Sequence, residues 1–281
     1  VEIGVSMRSL LLCILVFSLS AGYSQYYFND IVSTQTGNDQ YKLLRANKVH
    51  KVKATSYESD NSVTEGFALE EEISLDGKKI IQSSSLSGGK SSVITRSYEL
   101  SKLKRTQSTF NGIETKTEYS YTEKGPVQKI VLTTTDTAMK TTSVEAHEWI
   151  YAEAGQPLSM LKIKNRTDTT MIELIKDEQG LVIEERWKKK NRTLETYYYY
   201  YDTKNQLTDI VRFNTKLKKL LPDFQYEYDV NGRVSQMTQI LLSSAGYIIW
   251  KYTYNEKGLK VKELGYDKER KLAGRIEYTY E

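Results

Sequence analysis

The chain has 281 residues, 39% hydrophobic and 27% charged, with 22 tyrosines against 6 phenylalanines and 3 tryptophans. Three prolines exclude a disordered, loop-rich chain, and a net charge of +4, spread along the sequence, excludes a nucleic-acid-binding footprint. One cysteine, Cys13, and two histidines, His50 and His147, leave no inventory for a disulfide scaffold, a conventional His or Cys metal site or a thiol nucleophile.

The N-terminus carries an address. Met7 and Arg8 precede the apolar run Leu10 to Phe17, and small residues follow at Gly22 and Ser24. This is the pattern of a secretory signal over residues 1–24, cleaved before Gln25, with residues 1–6 reading as an over-extended gene start. The run is too short to span a bilayer, and no later stretch is apolar enough, so no transmembrane segment is expected in the mature chain. Cys13 lies inside the run behind three leucines, without the small residue that precedes a lipid-attachment cysteine. The mature chain then contains no cysteine and must hold its fold by sheet hydrogen bonds and packing. Such a chain fits a bacterial envelope: periplasm, cell surface or extracellular space.

Residues 25–48 form an N-terminal segment that is first aromatic and then polar. Asn38 to Arg45 has capping residues ahead of a short helical pattern, which predicts one short helix acting as a lid over one end of a sheet. From Val49 onward the periodicity becomes two. Phe67 to Ile73 and Leu75 to Ile81 flank Asp76-Gly77, a strong hairpin signal, and Ser83 to Ser92 reads as a small-residue loop around Gly88-Gly89. These early units are irregular.

The later units are regular. Tyr119-Ser120-Tyr121 leads to Gly125, Trp149-Ile150-Tyr151 to Gly155, Leu174-Ile175 to Gly180, Tyr200-Tyr201-Asp202 to Asn205, Tyr226-Glu227-Tyr228 to Gly232, and Tyr252-Thr253-Tyr254 to Gly258. The second anchor falls at 121, 151, 175, 201, 228, 254 and 280, with spacings of 30, 24, 26, 27, 26 and 26. A period close to 26 with one turn per unit marks a hairpin repeat, and a lone hairpin is marginal in water. The fold expected is therefore all-β: antiparallel β-hairpin repeats over residues 49–281 forming one extended, twisted or curled sheet, with a short N-terminal helix. The chain stops at Tyr278-Thr279-Tyr280-Glu281, where such a sheet would leave an open edge.

Tyr226-Glu227-Tyr228-Asp229-Val230-Asn231-Gly232-Arg233-Val234 resembles the YD repeat of Rhs and teneurin-type proteins. Tyr199 to Asp202 with Leu207 matches in part, and Tyr252 to Asn255 with Gly258 keeps the frame with Asn for Asp. In that family the hairpins spiral into a shell enclosing another polypeptide, and related sequences bind carbohydrate. The resemblance implies a hairpin architecture here, in a short exported version without a cargo domain and with far fewer repeats.

No catalytic residue, cofactor or metal is expected. Acids are plentiful at Glu70-Glu71-Glu72, Asp177-Glu178 and Glu184-Glu185, and a glycosidase needs two of them facing across a cleft. Alternation instead places Glu118, Glu148, Glu227 and Glu277 opposite the aromatic anchors, on a solvated outer face. The two sequons, at Asn165 and Asn191, read as coincidental in a bacterial protein. Tyr121, Tyr151, Tyr201, Tyr228, Tyr254 and Tyr280 form one column if the units are in register. Such a column serves either as a platform for sugar or peptide, or as the thin core that holds repeat to repeat. The reading is a noncatalytic exported protein with a structural or binding role, its partner a glycan or another envelope protein and not nucleic acid. The alternative is a carbohydrate or peptidoglycan binding module, and the third class a glycan-cleaving enzyme.

Overall fold

The computed structural model describes residues 25–86, 90–190, 192–214, 218–241 and 246–281. The signal sequence read at 1–24, the Gly88-Gly89 loop and the Asn191 sequon lie outside them. A π-helical turn (Tyr27–Val32) runs directly into helix α1 (Ser33–Ala46). The strands follow as β1 (Lys51–Glu58), β2 (Ala68–Ile73), β3 (Lys79–Leu86), β4 (Lys90–Glu99), β5 (Lys102–Phe110) and β6 (Ile113–Tyr121). Next come β7 (Val127–Asp136), β8 (Thr141–Tyr151), β9 (Pro157–Lys164), β10 (Asp168–Lys176), β11 (Val182–Lys189) and β12 (Arg192–Tyr201). The chain ends with β13 (Leu207–Asn214), β14 (Lys219–Tyr228), β15 (Val234–Leu241), β16 (Gly246–Tyr254), β17 (Lys260–Tyr266) and β18 (Leu272–Tyr280).

Every strand pairs antiparallel with its neighbours in sequence, and β1 also pairs with β18, so the 18-stranded sheet is a closed barrel. This corrects the expected open, extended or curled sheet. The reason lies in the two edges. Val52 sits opposite Tyr280, and the register runs unbroken to Glu58 opposite Gly274, while His50 N and Lys51 N donate to Glu281 O at 2.6 and 3.0 Å. Closure pairs the main-chain groups that an open sheet would leave at its first and last strands. The strand ending at Tyr280 is therefore no free edge.

Alternation sorts the wall into two faces. On β12, Tyr197 and Tyr199 are buried while Tyr200 is 48% exposed. The buried face looks inward, because it is the face that meets the N-terminal segment. A barrel of this strand number normally encloses a channel. Here the lumen is filled. Residues 25–32 enter the interior and, with the helix that follows, touch walls far apart around the ring: Gln25 meets Asp223 on β14, Tyr26 meets Glu185 on β11, Asp30 meets His147 on β8, and Asn38 accepts from Leu103 N on β5. The helix itself is the expected lid: Tyr41 donates to Gly77 O in the β2–β3 turn, Asn38 meets Leu103 at the start of β5 and Leu44 packs with Leu259 at the start of β17, all at one end of the barrel. Gln35, Asp39, Gln40 and Lys42 on its other side are exposed. Residues 25–32 ahead of it form the internal plug.

The plug divides the core into patches. Tyr26 packs among Val127, Ile130, Trp149, Met160 and Ile172. Tyr27 and Phe28 pack on the Tyr197, Tyr199, Ile210 and Phe224 cluster. Tyr41 and Leu44 pack with Val52, Ile73, Ile80 and Tyr98, where the Tyr41 and Tyr98 rings stack at 3.9 Å. Ala54, Ile248, Trp250 and Ile276 close the remaining region wall against wall. The abundance of tyrosine follows from this geometry: a wide lumen needs long side chains, and rings with a polar tip fill it while satisfying buried main-chain and acidic groups.

Candidate functional site

One end of the barrel repeats a single local plan. In the loops that begin at Thr122, Ala152, Asp177, Asp202, Asp229 and Asn255, the first residue's N–H donates to the carbonyl four residues on, and the fourth residue's N–H donates back to the first carbonyl. That fourth residue has positive φ, from +61° at Asn205 to +113° at Gly125, which is where glycine or asparagine is required. Asp229 explains the aspartate: its Oδ1 accepts from Asn231 N and Arg233 N, both at 2.9 Å, and its Oδ2 binds the Arg233 guanidinium. Arg233 in turn lies over the Tyr254 ring at 4.7 Å. The Asp, Gly and Arg of the YD-like unit are thus a self-contained turn that also touches the next repeat.

The tyrosine that precedes each turn belongs to the same device. A register shift falls immediately before Tyr121, Tyr151, Tyr201, Tyr228 and Tyr254, with the extra residue on the facing strand, so each ring keeps its inward place in the alternation, opposite the first residues of that strand. Each hydroxyl then donates to a main-chain carbonyl at the start of the preceding strand. Tyr121 reaches Leu103 O (2.6 Å), Tyr201 Val182 O (2.8 Å), Tyr228 Leu207 O (2.7 Å), Tyr254 Val234 O (2.8 Å) and Tyr280 Lys260 O (2.5 Å), and Tyr151 reaches Val127 O. The structure brings all six sequence-identified tyrosines into one half-buried girdle around this end. Burial raises their hydroxyl pKa values, to about 12 at Tyr228 and Tyr254, so the phenols stay protonated donors.

The girdle has one substitution. In the β10–β11 hairpin Lys176 faces Val182 after the same register shift that places Tyr201 opposite Leu207. The unit's anchor position is therefore Lys176 and not Ile175, and the spacings become 30, 25, 25, 27, 26 and 26. Burial lowers the Lys176 pKa below the usual ammonium range. Beside the girdle, a cleft of about 540 Å³ is lined by Asn47, Val49, Asn255, Lys257, Leu259 and Tyr280, among others.

The interior holds the acids that sequence reading missed. Glu185 is 0% exposed, and its carboxylate accepts from Tyr26 N (2.9 Å), Tyr27 N (2.9 Å), Trp187 Nε1 (2.6 Å) and the Tyr199 hydroxyl (2.7 Å). An acid on the wall thereby caps the first turn of the plug, where unpaired N–H groups and the helix dipole favour an anion. Burial raises its pKa, with the four hydrogen bonds opposing that rise. Asp30 of the plug receives Trp149 Nε1 at 3.0 Å and pairs with His147 Nδ1 at 2.7 Å; Glu145 sits 3.0 Å from His147 Nε2. Burial alone would lower the His147 pKa, but the Asp30 and Glu145 carboxylates prevail and push it up to about 9. Asp223 binds Arg212 Nε at 3.0 Å and Gln25 Nε2 at 3.1 Å. The available signal was positional: Glu185 and His147 occupy inward places in the alternation with Trp187 and Trp149.

The acid pairs considered from sequence are split by the wall. Glu184 points outward to Arg186 at 2.5 Å while Glu185 points inward. Glu118 pairs with Arg105 (2.9 Å), Glu148 with Lys129 (2.7 Å) and Glu277 with Lys262 (3.2 Å), all across strands on the outer face. Among the described residues no group of three or more His, Cys, Asp or Glu side chains is disposed to hold a metal ion, and no helix is long and apolar enough to cross a membrane.

No family model matches the chain, and no curated protein matches it. Solved structures do. A porin-like protein from Bacteroides uniformis aligns with a TM-score of 0.41 at 10% identity, over 83% of this chain and 98% of that one. A porin-like protein from Bacteroides vulgatus aligns with a TM-score of 0.30 at 14% identity, over 83% and 99%. The Photorhabdus luminescens Tc holotoxin pore aligns with a TM-score of 0.35 at 14% identity, over 77% of this chain and only 12% of that one.

Proposed function

We propose that the chain is a noncatalytic, exported β-barrel with a structural or binding role at the bacterial envelope, in the periplasm or at the cell surface. The observation that carries this reading is the occupied lumen. The buried acids Asp30, Glu185 and Asp223 are all engaged by the barrel's own groups and its plug, so they brace the fold and do not face an open cleft. What remains to meet a partner is the outer wall and the girdle rim. Cross-strand ion pairs such as Arg105 to Glu118 (2.9 Å) and Lys262 to Glu277 (3.2 Å) stand within the strands on that wall, where a lipid-facing barrel would carry an apolar band. They favour a water-facing location. Fractionation of cells making the full chain tests the address: recovery with periplasmic or surface material supports it, and recovery in the cytosol overturns it. Release of reducing ends from envelope polysaccharide, abolished by one carboxylate substitution, would overturn the noncatalytic reading.

The second reading, carbohydrate or peptidoglycan binding, is favoured by aromatic side chains left on the surface, such as Tyr200 and Phe213 on neighbouring strands. A glycan array and a pull-down on peptidoglycan separate it from a scaffold. Tyr228→Ala then locates the platform. A stable barrel with weaker glycan binding assigns the girdle to the ligand, whereas loss of the fold assigns it to the frame.

A further inference from the structure

We propose that cleavage before Gln25 creates an internal counter-ion: the new α-ammonium of Gln25 takes its place beside Glu185 inside the barrel, and this charge completes the docking of the plug. Gln25 is 2% exposed, and its side chain is already held, Nε2 to Asp223 Oδ2 at 3.1 Å. Its main-chain nitrogen lies three backbone bonds before the nitrogen of Tyr26, which sits 2.9 Å from Glu185 Oε1. The four groups that bind Glu185, two main-chain N–H groups, an indole and a phenol, are all neutral. Among the described residues no Lys, Arg or His stands within ion-pair distance of it, whereas Asp223 has Arg212. A fully buried carboxylate held by neutral donors alone is costly, and a cation at the Gln25 nitrogen offsets that cost.

The chemistry is a peptide hydrolysis. Water adds to the Ser24 carbonyl carbon, the bond from that carbon to the Gln25 nitrogen breaks, Ser24 leaves as a carboxylate, and the freed nitrogen takes up a proton. Before cleavage that nitrogen is a neutral amide. One consequence follows from its burial. A free N-terminal glutamine would cyclise, its α-nitrogen attacking the side-chain Cδ and expelling Nε2 as ammonia; protonation beside Glu185 and the grip of Asp223 on Nε2 hold Gln25 open.

Intact-mass and N-terminal sequencing of protein exported from the full chain is expected to show a start at Gln25 without loss of ammonia. Acetylation by an amine-specific reagent is expected to modify the Gln25 amine about tenfold or more slowly in the folded protein than in urea, as for a group exposed only by opening. Adding Ser-Gly-Ser ahead of Gln25 is expected to lower the melting midpoint, and Glu185→Gln to shrink the difference between extended and unextended chains. A different start, a cyclised Gln25, acetylation at the unfolded rate, or an extension without effect on the midpoint would each overturn the proposal. If Glu185→Gln does not fold, the acetylation rates of the unaltered protein decide.

Discussion

The two ends of the barrel are built by different rules. At the girdle end, hairpin after hairpin repeats one loop, one left-handed residue and one tyrosine tied to the previous unit. At the other end the connections vary. The 267–271 loop keeps the same plan, with Asp267 N donating to Lys271 O and Arg270 at φ +61°. By contrast, Asn111-Gly112 is a two-residue turn, 137–140 a longer loop braced by Asp136 Oδ1, and 59–67 a long excursion held by the Ser56 to Thr64 hydroxyl pair at 3.0 Å. Small buried hydroxyls such as Ser84 and Ser92, 2.9 Å apart, replace the rings there. One end repeats its turn in six hairpins, and the other uses it once, at 267–271, and otherwise varies in length.

Four measurements break or sharpen that contrast. The largest effect is expected from Glu185→Ala, which strands two main-chain N–H groups, an indole and a phenol and detaches the N-terminal segment that links β5, β8, β11 and β14. A loss of about 3–5 kcal/mol in urea denaturation is expected, as for breaking a buried charged network. Next comes pH. The His147 pKa is raised by folding to about 9, so the stability that Asp30 and Glu145 lend it is present below the ordinary imidazole range and is lost as pH rises through about 9. Melting midpoints between pH 6 and pH 10 check this, and His147→Gln should flatten that part of the curve.

Smaller effects compare the ends directly. Tyr228→Phe removes the hydroxyl bond to Leu207 O and is expected to cost about 1 kcal/mol, whereas Tyr247→Phe, whose exposed hydroxyl reaches Lys268 O at the other end, should cost a few tenths. Equal losses would erase the distinction. Smallest is a gain: Lys176→Tyr restores the missing girdle member and is expected to add about 0.5–1 kcal/mol, read as a higher urea midpoint. No gain would mean that the ring does not need to be continuous.

What the sequence reveals follows the same division. The Asp, Gly and Tyr signals were legible because each does its work within one hairpin, and the drift in the period comes from strand and loop lengths toward the irregular end, as between Tyr121 and Tyr151. Lys176 was hidden because a lysine stands where the other units carry tyrosine, which left the apolar Ile175 as the residue in apparent phase. Closure was not legible, since nothing local to Val52 or Tyr280 says that they face each other. The N-terminal segment was half visible: Asn38 to Arg45 reads as helix, but the aromatic stretch before it shows its purpose only against Trp149, Glu185 and Tyr199 on distant strands. Buried acids belong to the same class, because an inward glutamate and an outward one look alike until the wall is drawn.

The seam between β1 and β18 gives the molecule a direction in time. Every other strand pairing joins neighbours in sequence and can form as soon as both strands exist, but Val52 meets Tyr280 only after almost the whole chain is present. Contacts that close so long a loop are the slow ones, and they add little stability per residue until the ring is shut. The barrel is therefore a zip with one fastener. Its cheapest large-scale opening runs along that line, so the amides of 52–58 and 274–280 should exchange their hydrogens together and ahead of the hairpins on the opposite wall.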